Sequence, residues 1–231
     1  RKPGMSRSDL LETNAKIITS VAEYVRLGSP DAHVIVVTNP LDSMVHLMRA
    51  KTGFPGARVT GMAGVLDSAR FSWFIALATK SSVQDVKAMV LGAHGDSMVP
   101  VPQYCNVNGV GIQQLLDKAS IEAMATRTKN GGAEIVGLLK TGSAFFAPAS
   151  SAVAMAASIV LDQKRLLPTA CWLNGQYGFH DVYMGVPAIL GKDGVESIIE
   201  IPLDNESRAQ MHKTAGAILA DVQILRDKKL L

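Results

Sequence analysis

His33-Val34-Ile35-Val36-Val37-Thr38-Asn39-Pro40 is the stretch on which the fold turns. Its apolar residues do not alternate with polar ones, and β-branched side chains crowd together. A strand of that kind is typically buried on both faces, as in a parallel sheet covered by helices. Asn39-Pro40 ends it, because proline has no N–H to continue a ladder. Upstream, Leu10, Ile17, Ile18, Val21 and Val25 recur at helical spacing. Residues 9–27 therefore read as an amphipathic helix, opened by the capping-box spacing Asp9-x-x-Glu12 and ended by Gly28-Ser29-Pro30. Downstream, residues 41–51 again read as helix, followed by a Gly53/Pro55/Gly56 turn and a short strand over 58–61. The order helix–strand–helix–strand is that of α/β crossover units. An α+β arrangement with an antiparallel sheet stays open for this segment.

Beyond residue 62 the pattern changes. Residues 66–79 read as a helix, and residues 86–91 as a strand running into Gly92-Ala93-His94-Gly95-Asp96. Residues 129–164 read as mostly helical, interrupted by Gly131-Gly132 and Pro148. Strands near 170–175, 180–190 and 197–201, separated by Gly/Asn/Asp turns, suggest antiparallel sheet. A closing helix from about 205 to 229 places Met211, Ala215, Ile218, Val222 and Leu225 on one face. No repeat or low-complexity linker occurs, and two lobes meeting near residue 62 fit this order.

Composition narrows the function classes. The 231 residues are 48% hydrophobic and 19% charged, enough to bury a sizeable core and unlike a disordered chain. A net charge of +3 without a Lys/Arg block argues against nucleic-acid binding, the densest basic stretch being Arg226-Asp227-Lys228-Lys229, read as a solvated helix end. Cys105 and Cys171 have neither disulfide-framework nor metal-ligand spacing, so no metal site is expected and a reducing, cytoplasmic setting is. The longest apolar run, residues 152–157, is far shorter than a bilayer span, so no membrane partner is expected.

No GxGxxG, P-loop or GxSxG occurs; Gly109-Val110-Gly111 is followed by Gln114 where a third glycine would stand. What remains is a set of ionisable and polar groups at element ends. Asn39 follows the buried strand, at the carboxyl end where open α/β sheets bind ligands. Asp67 and Arg70 lie three apart on one helix face. His94 follows an apolar strand among small residues that let a ligand approach. Each alone also reads as ordinary structure: a turn asparagine, a surface ion pair, a satisfied histidine. Their joint appearance with Arg1 and Arg7 on a Pro-Gly loop is what points to a site.

RKPGMSRSDLL, VVTNPLD, GVLDSAR, GAHGDSMVP, KTGSAFFAPA and GQYG follow one another along the whole chain. In that combination the sequence strongly resembles the malate dehydrogenases of the lactate dehydrogenase-like type, in the lactate/malate dehydrogenase superfamily. The resemblance implies an α/β fold: the C-terminal half of a Rossmann-type parallel sheet over residues 1–62, then an α+β catalytic domain over 63–231 with antiparallel strands and a long C-terminal helix. It implies NAD as cofactor and malate/oxaloacetate as substrates, in the tricarboxylic acid cycle. His94 matches the proton-transferring histidine and Asp67 the carboxylate that orients it. Arg70 matches the arginine holding the substrate's C1 carboxylate, since guanidinium meets carboxylate with two parallel hydrogen bonds. Arg7 matches the loop arginine that polarises the carbonyl. Arg1 matches the residue that binds the second carboxylate, which a monocarboxylate lacks. Asn39 matches a residue touching both substrate and cofactor, Val37 and Thr38 lie beside the nicotinamide, and Asn14 matches a further cofactor contact.

The resemblance also implies roughly 60–90 preceding residues with the glycine-rich turn and the acidic residue for the adenosine ribose. The chain as written starts at the substrate loop, so by itself it is expected to bind NAD weakly and to be nearly inactive. A lactate or other 2-hydroxy acid dehydrogenase, and a non-catalytic oligomerisation module, are the competing readings. A homodimer or homotetramer is implied as well.

Overall fold

A computed structural model of the chain describes residues 7–140 and 144–231. The first helix, α1, covers Arg7–Gly28, so Asp9 lies inside its first turn and the expected capping box is not the start signal. Glu12 instead pairs with Lys228 near the far end of the chain. The buried stripe of α1 is Leu11, Ala15, Ile18 and Ala22, while Ile17 and Val21 face outward. This corrects the apolar face read from the larger side chains. Two alanines let the helix lie close against its neighbour, and bulk on the outer side contributes nothing there.

Strand β1 (Val34–Val36) pairs in parallel with β2 (Val59–Gly61), with helix α2 (Leu41–Thr52) between them. That is the crossover unit the sequence predicts. Burial of β1 is less complete than its composition implies: only Val36 is fully buried, because among the described residues β1 stands at the sheet edge.

Helix α3 (Gly64–Thr79) follows, and the predicted strand over 86–91 divides in two. Strand β3 (Val86–Lys87) enters a small sheet, whereas β4 (Val90–Gly92) turns back on β5 (Met98–Pro100). The small sheet is completed by β6 (Asn106–Val107) and β7 (Val110–Gly111), followed by the single turn α4 (Ile112–Leu115).

Helix α5 (Lys118–Leu139) runs unbroken through Gly131-Gly132, contrary to expectation. The real break falls before α6 (Phe146–Val160). Pro148 sits in the first turn of α6, where a backbone N–H has no partner inside the helix, so it does not interrupt.

Strands β8 (Arg165–Asn174), β9 (His180–Gly191) and β10 (Gly194–Ile198) form the antiparallel part. β8 begins before the predicted 170 despite Pro168, which stands opposite Pro187, so both missing donors fall on one rung of the ladder. The seven-stranded sheet has the order β1-β2-β8-β9-β4-β5, with β10 on β9. It is continuous across residue 62 through Gly61 opposite Ala170, reinforced by the Thr169 hydroxyl donating to the Gly61 carbonyl at 2.8 Å.

Helix α7 (Asn205–Asp227) closes the chain, capped by Asp204, which accepts from the Ser207 N–H. Met211, Ala215, Ile218, Val222 and Leu225 are all buried, as the heptad-like spacing predicts. They pack on Leu91, Val99, Met184, Val186 and their neighbours from the antiparallel strands, except Leu225, which joins the core under α1 and α2. Burial of each larger side chain contributes about 1.5–3 kcal/mol. The basic end of α7 is not simply solvated: Arg226 donates to Asp181 at 3.2 Å. Among the described residues no helix is long and apolar enough to cross a membrane.

Candidate functional site

His94 rides on the turn joining β4 to β5, and close backbone packing fixes that turn. At its base Gly92 stands opposite Gly185 of β9; a Cβ on Gly185 would fall 2.6 Å from the Gly92 carbonyl oxygen. On the other side the Thr214 hydroxyl of α7 donates to the Ser97 carbonyl at 2.6 Å. Two helix starts then converge on His94. Asp67, in the first turn of α3, is 2.9 Å from His94 Nδ1. Asp42, in the first turn of α2, accepts from the His94 backbone N–H at 3.1 Å.

With the Asp67 carboxylate accepting from Nδ1–H, the other ring nitrogen is left as the group available to a ligand. Among the described residues Nε2 has no hydrogen-bond partner, and His94 lines a cleft of about 790 Å³. Burial alone pushes the His94 pKa down. The hydrogen bond and charge of Asp67, with the charge of Asp42, outweigh it and hold the pKa above the ordinary imidazole value. Asp42 moves the other way for a carboxyl: burial raises it to about 7, only partly opposed by the His94 N–H.

Arg70 lies one helical turn from Asp67, with Nη1 3.7 Å from Asp67 Oδ1. That is an ion pair rather than a hydrogen bond. Burial lowers the Arg70 pKa, opposed by Asp67. Arg70 Nε and Asp67 Oδ1 are both buried with no hydrogen-bond partner. Buried polar atoms are ordinarily satisfied, so the unpartnered Nε of Arg70, a residue lining the cleft described above, marks a place where an acceptor on a ligand completes the bonding.

Of the residues singled out from sequence, Asn39, Arg70 and His94 line this cleft together, and Asp67 stands directly behind His94. Asn14 donates its side-chain amide to the Asn39 carbonyl at 2.6 Å, bracing the strand end instead of facing the cleft itself. Val37 and Thr38 precede Asn39 at the carboxyl end of β1 and are not among the residues lining this cleft. Arg1 lies outside the described residues, and of Arg7 only its place at the start of α1 is described. Asp42 is the site residue that sequence reasoning missed. The signal was an acid inside Leu41-Asp42-Ser43-Met44-Val45, a run whose remaining members are all buried.

Comparison with known proteins is consistent along the chain. Residues 1–61 match the family profile described as lactate/malate dehydrogenase, NAD binding domain, and residues 64–227 match the lactate/malate dehydrogenase alpha/beta C-terminal domain. A malate dehydrogenase of Citrifermentans bemidjiense is 56% identical over 227 residues, covering 94% of this chain and 72% of its own length. One from Geobacter sulfurreducens is 52% identical over 235 residues, covering 98% and 74%. Among solved structures, Cryptosporidium parvum malate dehydrogenase superposes with a TM-score of 0.94 at 43% identity, over 98% of this chain and 74% of that one. The lactate dehydrogenase of Eimeria maxima with NADH and oxamate gives 0.94 at 40%, over 98% and 70%. An aspartate-backed histidine beside a partly buried arginine thus occurs in a chain that belongs, over nearly its whole length, to the lactate/malate dehydrogenase family.

Proposed function

We propose that this chain is an NAD-dependent malate dehydrogenase, interconverting malate and oxaloacetate. The observation that carries the reading is the 2.9 Å contact of His94 Nδ1 with Asp67, which leaves Nε2 at the cleft where Arg70 also stands. In the oxidative direction neutral His94 takes the malate hydroxyl proton at Nε2, and Asp67 stabilises the imidazolium through Nδ1–H. In the reverse direction the imidazolium returns that proton to the carbonyl oxygen of oxaloacetate. Arg70 holds the C1 carboxylate with its planar fork, and the desolvation that lowers its pKa strengthens that attraction. Arg7 polarises the carbonyl and Arg1 binds the second carboxylate, roles that rest on their positions in the resemblance.

The residues present fit the nicotinamide end of NAD. Val37 is 42% exposed one residue beyond the buried Val36, offering an apolar face at the carboxyl end of β1. Thr38 and Asn39 continue that edge, and Asn14 holds the Asn39 backbone in place. NAD, when bound, supplies the acceptor for the hydride leaving malate C2. Residues 1–62 form the part of the dinucleotide domain that carries this edge, and residues 63–231 the catalytic domain.

An exposed apolar face on and beside α6, with Phe145, Phe146, Val153 and Val160 between 60% and 81% exposed, supports assembly into a homodimer or homotetramer. Cys105 and Cys171 are both free and buried, which fits the reducing setting of a cytoplasmic enzyme, and interconversion of malate and oxaloacetate is the chemistry of a tricarboxylic acid cycle step.

The deciding experiment compares NADH oxidation by the full-length protein with oxaloacetate and with pyruvate. The expected result is a kcat/KM at least about 100-fold higher for oxaloacetate, the scale of one desolvated charge pair. Equal or better turnover of pyruvate would replace this reading with lactate dehydrogenase.

A further inference from the structure

Two adjacent glycines near the middle of a 22-residue helix need a reason, because glycine weakens a helix interior relative to alanine. α5 is nevertheless continuous across Gly131-Gly132. The reason lies on the neighbouring helix. A Cβ on Gly131 would fall 3.2 Å from Arg70 Cδ, 3.6 Å from Nε and 4.0 Å from Cζ. One on Gly132 would fall 3.8 and 4.0 Å from the two Nη atoms. The Arg70 head, from Cδ to the tips of its fork, therefore lies along the bare backbone of the glycine pair.

No hydrogen bond fixes the plane of this guanidinium among the described residues. Nε is unpartnered, and the approach to Asp67 is 3.7 Å. Packing does that work instead. On the same face of α5, Arg127 and Glu134, four residues before and three after Gly131, join through two hydrogen bonds of 3.1 and 2.7 Å. Arg127 also stacks on Phe74, with its Cζ 4.5 Å from the ring centroid. α3 and α5 thus exchange arginines, Arg127 onto Phe74 and Arg70 onto Gly131. Gly137, one and a half turns further along α5, has nothing within 4 Å of a Cβ, so it serves as an internal control.

We propose that Gly131 and Gly132 are positioning residues that seat the Arg70 guanidinium for substrate carboxylate binding, an inference resting on the role given to Arg70 above. Glycine is required because a methyl group at 131 displaces Arg70 Cδ by a few tenths of an ångström, and turns a fork whose bidentate contact depends on its plane.

The test measures KM for oxaloacetate, kcat and melting temperature in the full-length protein for G131A, G131V, G132A, G137A, R70A and the double variant R70A/G131A. G131A is expected to raise KM about threefold to tenfold with kcat changed less than about twofold, and G131V to raise it by about 100-fold, the scale set by misplacement approaching 1 Å. G132A should act less than G131A, its contacts being longer. G137A should leave KM unchanged and raise the melting temperature. In the R70A background, G131A should change KM less than about twofold, since residues acting through one another are not additive.

An unaltered KM in G131A and G131V beside a raised KM in R70A would overturn the seat and leave the carboxylate role of Arg70 standing. A G131A effect that persists undiminished in R70A would overturn it as well. An R70A variant with normal KM would overturn both the seat and the reading on which it rests.

Discussion

The first turns of α2 and α3 do the same thing in outline and opposite things in chemistry. Each brings a buried aspartate to His94, Asp42 to its backbone N–H at 3.1 Å and Asp67 to its ring at 2.9 Å. Each sits where a helix N-terminus favours negative charge. Asp67 has a titrating ring on one oxygen and the Arg70 cation near the other, so its charge is matched by groups that carry positive charge. Asp42 meets main-chain N–H dipoles, that of His94 and its own, with the His94 charge acting without a side-chain hydrogen bond, and its Oδ1 has no hydrogen-bond partner. Burial then wins and lifts its pKa to about 7. The carboxylate that serves proton transfer has cationic neighbours, whereas the one that holds the loop titrates close to neutrality.

That contrast breaks most visibly at the ring. His94→Asn removes the proton-transferring group and is expected to lower kcat by about 10²–10⁴-fold in both directions, with the protein still folded. A loss below tenfold would assign the proton to another residue. Asp67→Asn keeps the shape but removes the charge that outweighs burial at His94. It should lower kcat by about 100-fold and move the pH profile. Oxaloacetate reduction needs the imidazolium, so kcat/KM falls as pH rises through the His94 pKa. In the wild type that fall comes above the ordinary imidazole value; in Asp67→Asn it moves to lower pH. An unmoved inflection would detach Asp67 from His94.

The same contrast shows what was legible in the sequence. α7 was readable because its five apolar residues recur at one spacing and all serve one core. Asp67, Arg70 and His94 were readable because they sit at element ends within recognisable motifs. Asp42 was not, since an acid in the first turn of a helix is ordinary and its burial depends on a turn 52 residues away. Gly131-Gly132 misled in the same manner. Local propensity reads two glycines as a break, but the partner that gives them a purpose lies on α3. Packing of this kind carries no periodic signal, and the apolar face of α1 was misplaced because alanines signal close approach only once the neighbouring helix is known.

The smallest expected effect on activity is the sharpest test of the comparison. Asp42→Asn retains an oxygen to accept the His94 N–H, so kcat should fall less than about tenfold. Its signature is instead in stability against pH. Because the folded pKa of Asp42 lies near 7, well above the ordinary carboxyl value of 3.8, the folded protein holds a proton that the unfolded chain releases across that interval. Stability then falls as pH rises through the window, by a few kcal/mol at most, and the fall is complete once pH exceeds the folded value. His94, with its raised pKa, contributes a fall of the same sign that begins at its unfolded value and is larger in the wild type, where the charge of Asp42 adds to that of Asp67. The difference in unfolding free energy, wild type minus Asp42→Asn, is therefore expected to decline between pH 5 and 8, measured by chemical denaturation at fixed ionic strength. A flat difference would mean that Asp42 is ionised throughout, and that the two aspartates around His94 share one role.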